Sequence, residues 1–136
     1  MMLELHVPDF EPAKAFYKAL GFKTVWERAP DGFKGYLVMQ MEDNILCFWC
    51  GNENVSDHPY FKDFPKSAPL GKGVEIVLTT QHLDALYAKL KNDACVVETM
   101  ETKPWGLRDF RVKDPCGYYL RITSPHDILS DEWAVK

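Results

Sequence analysis

Trp105-Gly-Leu-Arg-Asp-Phe-Arg-Val-Lys-Asp-Pro-Cys-Gly-Tyr-Tyr-Leu-Arg-Ile122 is the stretch that decides how this chain folds. Polar and apolar residues alternate on either side of Asp114-Pro-Cys-Gly117, so two strands are expected with a tight turn between them. Pro115 fixes one φ angle inside that turn and Gly117 relieves its end. Working outward, a strand-then-helix pattern occurs twice upstream, once from Leu3 to Leu20 and again from Val74 to Leu90. The chain reads as two copies of one supersecondary unit, and the hairpin closes the second copy.

In the first copy, Leu3, Leu5 and Val7 face a core while Met2, Glu4 and His6 face the other way. Asp9 is placed to cap a helix, Pro12 falls in its first turn, and Gly21 stops it. Phe10, Ala13, Phe16, Tyr17 and Leu20 lie between at helical spacing. Strands are expected near Phe22–Arg28, Gly35–Met41 and Ile45–Trp49, with turns at Asp31-Gly32 and Glu42-Asp-Asn44. In the second copy, Val74, Ile76 and Leu78 alternate with Glu75, Val77 and Thr79. A helix over about Gln81–Asn92 then buries Leu83, Leu86, Tyr87 and Leu90. A strand over Ala94–Thr102 precedes the closing hairpin. The expected organisation is one domain over residues 1–136. It comprises a first module of about 1–50, a linker of about 51–72, a second module of about 73–125, and a tail at 126–136 that is a short helix or frayed. His58-Pro-Tyr-Phe61 in the linker reads as ordinary loop packing, with a flap as the alternative. His58, His82 and His126 show no shared face.

With 136 residues, 46% of them hydrophobic and 13% aromatic, the chain has ample material for a packed interior. A net charge of −4 and a pI near 5.5 argue against a nucleic-acid partner, which selects for a basic face. No apolar run approaches the length of a membrane span, and the chain enters a strand at once. Neither a membrane partner nor a leader is expected, and the expected location is cytoplasmic.

Four cysteines are scattered, at 47, 50, 95 and 116, without the density of a disulfide scaffold. Cys47-Phe-Trp-Cys50 spells C-x-x-C, but it closes a strand rather than opening the helix that a reactive dithiol needs. No second such pair exists to complete a zinc site. No glycine-rich phosphate loop is present, so a nucleotide cofactor has no support.

Val7-Pro-Asp9, Phe16-Tyr17 and Leu20-Gly-Phe22 resemble the first-module signature of the vicinal oxygen chelate superfamily. That superfamily includes glyoxalase I, bleomycin-resistance proteins, fosfomycin-resistance enzymes and extradiol dioxygenases. Leu83-Asp-Ala-Leu-Tyr-Ala-Lys-Leu90 and Arg108-Asp-Phe-Arg-Val-Lys-Asp-Pro-Cys-Gly-Tyr118 resemble its second. The resemblance covers residues 3–122 and implies an α+β fold, with two paired βαβββ modules forming curved mixed sheets around a groove. It also implies a homodimer, but it does not select an activity.

In metal-dependent members, four groove-facing strand positions hold His or Glu. By this resemblance those positions fall on Met2, Cys47, Glu75 and Arg121. Arg121 stands where the enzymes place a carboxylate, and a permanent cation cannot coordinate a metal. Met2 is a poor substitute for His toward a hard ion. The expectation is no metal and no cofactor, with a salt bridge between Glu75 and Arg121 in the metal's place. An alternative is a shifted metal site built from His6, Glu4 and Glu75. Strand parity gives the groove Glu4, His6, Cys47, Trp49, Glu75, Tyr119 and Arg121 as ligand-binding candidates, with Tyr36 and Trp105 as further aromatic candidates. Which of Arg108 and Arg111 shares that face is left open, and no catalytic residue is identified. The expected function is metal-free binding of a small molecule, as in bleomycin-resistance proteins, sequestering an antibiotic or metabolite. Two other readings stay open: a metal-dependent lyase or isomerase of the glyoxalase type, and a non-catalytic dimerisation module.

Overall fold

A computed structural model describes residues 1–31, 35–50 and 55–133. Gly32 of the expected Asp31-Gly32 turn, the start of the expected linker (51–54) and the end of the tail (134–136) lie outside the described residues. The chain divides into two compact units, Met1–Lys72 and Gly73–Lys136. Each has the order strand, helix, strand, strand, strand, so the expected α+β class with twin βαβββ modules is what the chain forms.

The N-terminal unit consists of β1 (Glu4–His6), α1 (Phe10–Ala19), β2 (Lys23–Arg28), β3 (Tyr36–Met41) and β4 (Asn44–Trp49). The strands lie in the order β1-β4-β3-β2, with β1 parallel to β4 and the other pairs antiparallel. Helix α1 starts where the Asp9 side chain accepts the Glu11 N–H, and it stops before Gly21, whose φ of 108° continues no helix. One sheet face is dry. Leu5, Leu37, Met39, Leu46 and Phe48 are buried with Phe10, Ala13 and Tyr17 of the helix, and the Tyr17 ring lies 5.1 Å from Phe48. Glu4, His6, Tyr36 and Trp49 are partly exposed on the opposite face, as period-two alternation requires. Edge strand β2 is exposed throughout, and Val25 and Trp26 on it are about half exposed.

The C-terminal unit consists of β5 (Glu75–Thr79), α2 (Leu83–Leu90), β6 (Val96–Thr102), β7 (Arg108–Lys113) and β8 (Tyr119–Thr123). Its strands take the order β5-β8-β7-β6, again with a parallel pair, β5 with β8, at one end. Helix α2 is shorter than the expected Gln81–Asn92. Thr80 Oγ1 accepts the His82 N–H and holds a turn before it, and Asp93 begins another after it. Leu83 and Leu90 are buried and Leu86 and Tyr87 half-buried, with Tyr87 5.0 Å from Phe110. Ile76, Leu78, Val112, Leu120 and Ile122 complete this core.

The Asp114–Gly117 turn is tied by its first residue. Asp114 is 4% exposed, and its Oδ1 accepts the N–H groups of Cys116 at 2.8 Å and Tyr118 at 2.9 Å. Gly117 has a φ of 94°, where a side chain would be strained. Between the modules, residues 55–57 and 61–63 form single 3-10 turns. In the tail, another 3-10 turn, Asp131–Trp133, lets Trp133 Nε1 donate to the Asp127 carbonyl at 2.7 Å. No described helix is long and apolar enough to cross a membrane.

Candidate functional site

Parallel pairing of β1 with β4 sets Glu4 beside Cys47 and His6 beside Trp49. All four were expected to share a face, and the register brings them together. Tyr36 joins them from β3: its hydroxyl donates to Glu4 Oε1 at 2.7 Å, while His6 Nε2 lies 3.4 Å from Glu4 Oε2. Sequence parity marked Tyr36 as a stacking residue and missed this hydrogen bond. Burial raises the Tyr36 phenol, and the Glu4 and Cys47 side chains raise it further, so it stays protonated. Cys47 itself is 3% exposed and lies beneath the surface of this face.

His58 corrects the sequence reading. It stands in the segment read as a linker, yet its ring lies 5.3 Å from that of His6 and stacks on Phe61 at 4.4 Å. Phe61 in turn lies 5.3 Å from His6, and Trp49 meets His6 edge-on at 5.0 Å. Three aromatic groups therefore surround His6. Burial pulls its pKa below the ordinary value; Glu4 opposes the fall and the His58 charge adds to it. Beside this cluster, Trp26 stacks on Tyr36 at 5.5 Å and 22°. The result is one carboxylate and one imidazole, joined by a phenol and walled by flat rings. Such a surface suits a planar ligand with a hydrogen-bonding edge.

In the C-terminal unit, Glu75, Tyr119 and Arg121 fall on one sheet face, with Glu75 opposite Tyr119 and Val77 opposite Arg121. The expected Glu75–Arg121 ion pair is present but long, and Arg111 holds the same carboxylate more closely. Arg111 Nε donates to Glu75 Oε1 at 2.8 Å, whereas Arg121 Nε stays 3.9 Å from the same oxygen. Arg111 is thus the arginine that shares the face. Arg108 instead pairs with Asp84 of α2 at 2.8 Å, near solvent. Trp105 is 41% exposed before β7 and joins no described ring contact.

The four positions that the fold family uses for a metal were tested on their surroundings. Glu75 is the one ordinary oxygen donor among them, and its carboxylate is already held by one guanidinium and approached by another. Met2 is largely exposed ahead of β1. This donor set does not fit a divalent ion. Within each unit, no group of three or more His, Cys, Asp and Glu side chains among the described residues is gathered to hold one. Nor is a thiol chemistry prepared. All four cysteines are free, and burial pushes Cys95 and Cys116 up to about 11. Burial also raises Cys50, away from thiolate.

Two βαβββ units, each closing on a parallel pair of its first and last strands, define a class of α+β protein built by duplication. The chain belongs to the Glyoxalase/Bleomycin resistance protein/Dioxygenase superfamily, whose family model matches residues 2–122. It resembles a bleomycin-binding protein solved in complex with bleomycin, at 22% identity and a TM-score of 0.60 over 93% of this chain and 98% of that one. A hypothetical protein from S. aureus is 26% identical, with a TM-score of 0.67 over 92% of each chain. A lactoylglutathione lyase from Agrobacterium tumefaciens shares the fold at 18% identity, with a TM-score of 0.59 over 91% of each. No curated protein matches the chain at a significant level.

Proposed function

We propose that this protein binds a small planar molecule without a metal ion. The observation that carries the reading is the cluster on the open face of the N-terminal sheet. There the Tyr36 hydroxyl, the Glu4 carboxylate and the His6 ring form a polar line among Trp26, Trp49, His58 and Phe61. Flat rings supply contact area at low entropic cost, and the polar line fixes orientation. Glu4, His6, Cys47 and Trp49 are the binding candidates on this unit, and Glu75, Tyr119 and Arg121 those on the other. Family membership supports small-molecule chemistry in general, and one structural neighbour was solved with bleomycin bound.

The metal-free part of the proposal rests on the donor set, in which Arg111 and Arg121 face the single ordinary carboxylate donor. Among the described residues the one thiol at the cluster, Cys47, is buried, which favours sequestration of an antibiotic or metabolite over turnover. The proposal includes a homodimer in the cytoplasm, in line with the resemblance, to be checked by light scattering and cell fractionation.

The test is a panel of planar aromatic compounds titrated against intrinsic fluorescence, since Trp26 and Trp49 both stand at the cluster. A saturable change that disappears in Trp49→Phe and weakens in Tyr36→Phe supports the reading. Failure of every compound, together with lyase activity that requires a divalent ion, overturns it.

A further inference from the structure

The sheet face that carries Glu75 holds two arginines directly opposite each other, Arg111 on β7 and Arg121 on β8. Like charges in that position repel unless each is compensated. Arg111 is compensated three times over: it donates to Glu75 at 2.8 Å and Asp109 at 3.0 Å, and lies 3.2 Å from Glu98. Lys103 takes a further share of Glu98 and Asp109, and holds Glu101. Arg121 is left over. Among the described residues its one ionic contact is Glu75 Oε1, at 3.9 Å, too long for a hydrogen bond, and its buried Nε has no hydrogen-bond partner. Its side chain nevertheless stays 26% exposed, and Glu75 meets it only as a long ion pair with no hydrogen bond at Nε.

We infer that Arg121 receives the carboxylate of a small ligand, and that Arg111 keeps Glu75 from occupying it. The inference rests on the small-molecule reading only for a ligand to carry that carboxylate. A guanidinium offers a planar fork that matches a carboxylate with two parallel hydrogen bonds. Glu75 cannot supply them while Arg111 holds it. The β5 residue directly beside Arg121 is Val77; Glu75 lies diagonal to it on that strand, and Glu98, Glu101 and Asp109 lie on β6 and β7 with Arg111. Tyr119, two residues earlier on the same strand face, is placed to meet a flat group attached to the carboxylate. A singly charged group suits the position better than a dianion, because the neighbouring Glu75 repels the second charge as well.

The test is a titration of the full ¹⁵N-labelled chain with benzoate, followed in the native chain at the Arg121 Nε–H resonance, which is assigned by its loss in Arg121→Lys, and in every variant at the backbone amides of Tyr119, Leu120 and Ile122 on the same strand. A ligand of this size should show a saturable shift with a midpoint on the order of millimolar. Arg121→Met should abolish binding and Arg121→Lys should weaken it. Glu75→Gln should tighten it about fivefold by removing a nearby charge, while Arg111 keeps Glu98 and Asp109. Inorganic phosphate should bind more weakly than benzoate. Absence of a saturable shift overturns the inference, as does binding that survives Arg121→Met in folded protein, weaker binding in Glu75→Gln, or tighter binding of phosphate. A failed compound panel at the N-terminal cluster leaves this result intact, because the readout is confined to Arg121 and its strand β8.

Discussion

Asp114→Ala should be among the most damaging single changes in the C-terminal unit, because residue 114 ties the closing hairpin. Its carboxylate is 4% exposed and accepts two backbone N–H groups, from Cys116 and Tyr118. Hydrogen bonds to a charged acceptor contribute about 1.5–3 kcal/mol each, and a buried N–H left without a partner costs a similar amount. The turn keeps its backbone bonds, Gly117 N–H to the Asp114 carbonyl and Asp114 N–H to the Tyr118 carbonyl, so the smaller value is appropriate. The sum is about 3 kcal/mol for alanine. Asparagine retains an acceptor oxygen but loses the charge, and should cost about 1 kcal/mol. For a chain of this length the alanine loss corresponds to a fall in Tm of about 10 °C. Urea titrations followed by circular dichroism give both values. Equal costs for alanine and asparagine, or a cost below about 1 kcal/mol for alanine, would refute the assignment of Asp114 as the tie of the hairpin.

Tyr36→Phe removes the hydroxyl donated to Glu4. Because the Glu4 side chain is 36% exposed, the cost should be about 1 kcal/mol or less, with a larger relative loss in binding of any compound that quenches Trp26; an unchanged affinity would remove Tyr36 from the site. His6 should titrate below its ordinary value of 6.5, because burial disfavours the imidazolium, and Glu4→Gln should lower it further by removing the charge that opposes the shift. The unfolded chain then takes up the proton first. The stability contributed by neutral His6 is complete above about pH 6.5 and is lost as pH falls through the folded value. An NMR titration that places His6 at or above 6.5 would contradict the burial argument. Arg111→Met strips the principal partner from Asp109, which is 1% exposed and would retain only Lys103 at 3.8 Å. A loss of about 3 kcal/mol is expected, partly recovered in Arg111→Met/Asp109→Asn; no recovery in the double variant would mean the pair is not coupled.

The fold was legible because its signals are local. Alternation in Leu3–Val7 and Val74–Thr79, the Asp9 cap, the Gly21 stop and the Asp114–Gly117 turn each depend on neighbours a few residues away. The site was legible only as far as strand parity reaches. Parity put Glu4, His6 and Trp49 on one face, but it could not tell that Tyr36 bonds to Glu4 rather than stacking alone, since that depends on β3–β4 register. Glu75 and Arg121 were matched because both stand at family metal positions. In the sheet they are diagonal rather than opposite, and Arg111, reaching across β8 from β7, makes the closer contact with the carboxylate. His58 and Phe61 were marked only as part of a loop or flap, with no signal that tied either to His6. Their position over His6 comes from the 3-10 turns at 55–57 and 61–63, and neither turn has a periodic pattern.

Metal content and binding measured on one sample test the central claim most directly. Protein purified without chelator is analysed for nickel, zinc, iron and manganese, and a panel compound that binds is then titrated before and after treatment with a chelator. The account predicts far less than one metal ion per chain and an affinity that the chelator does not change. Near-stoichiometric metal, or binding abolished by chelator and restored by one divalent ion, would contradict it.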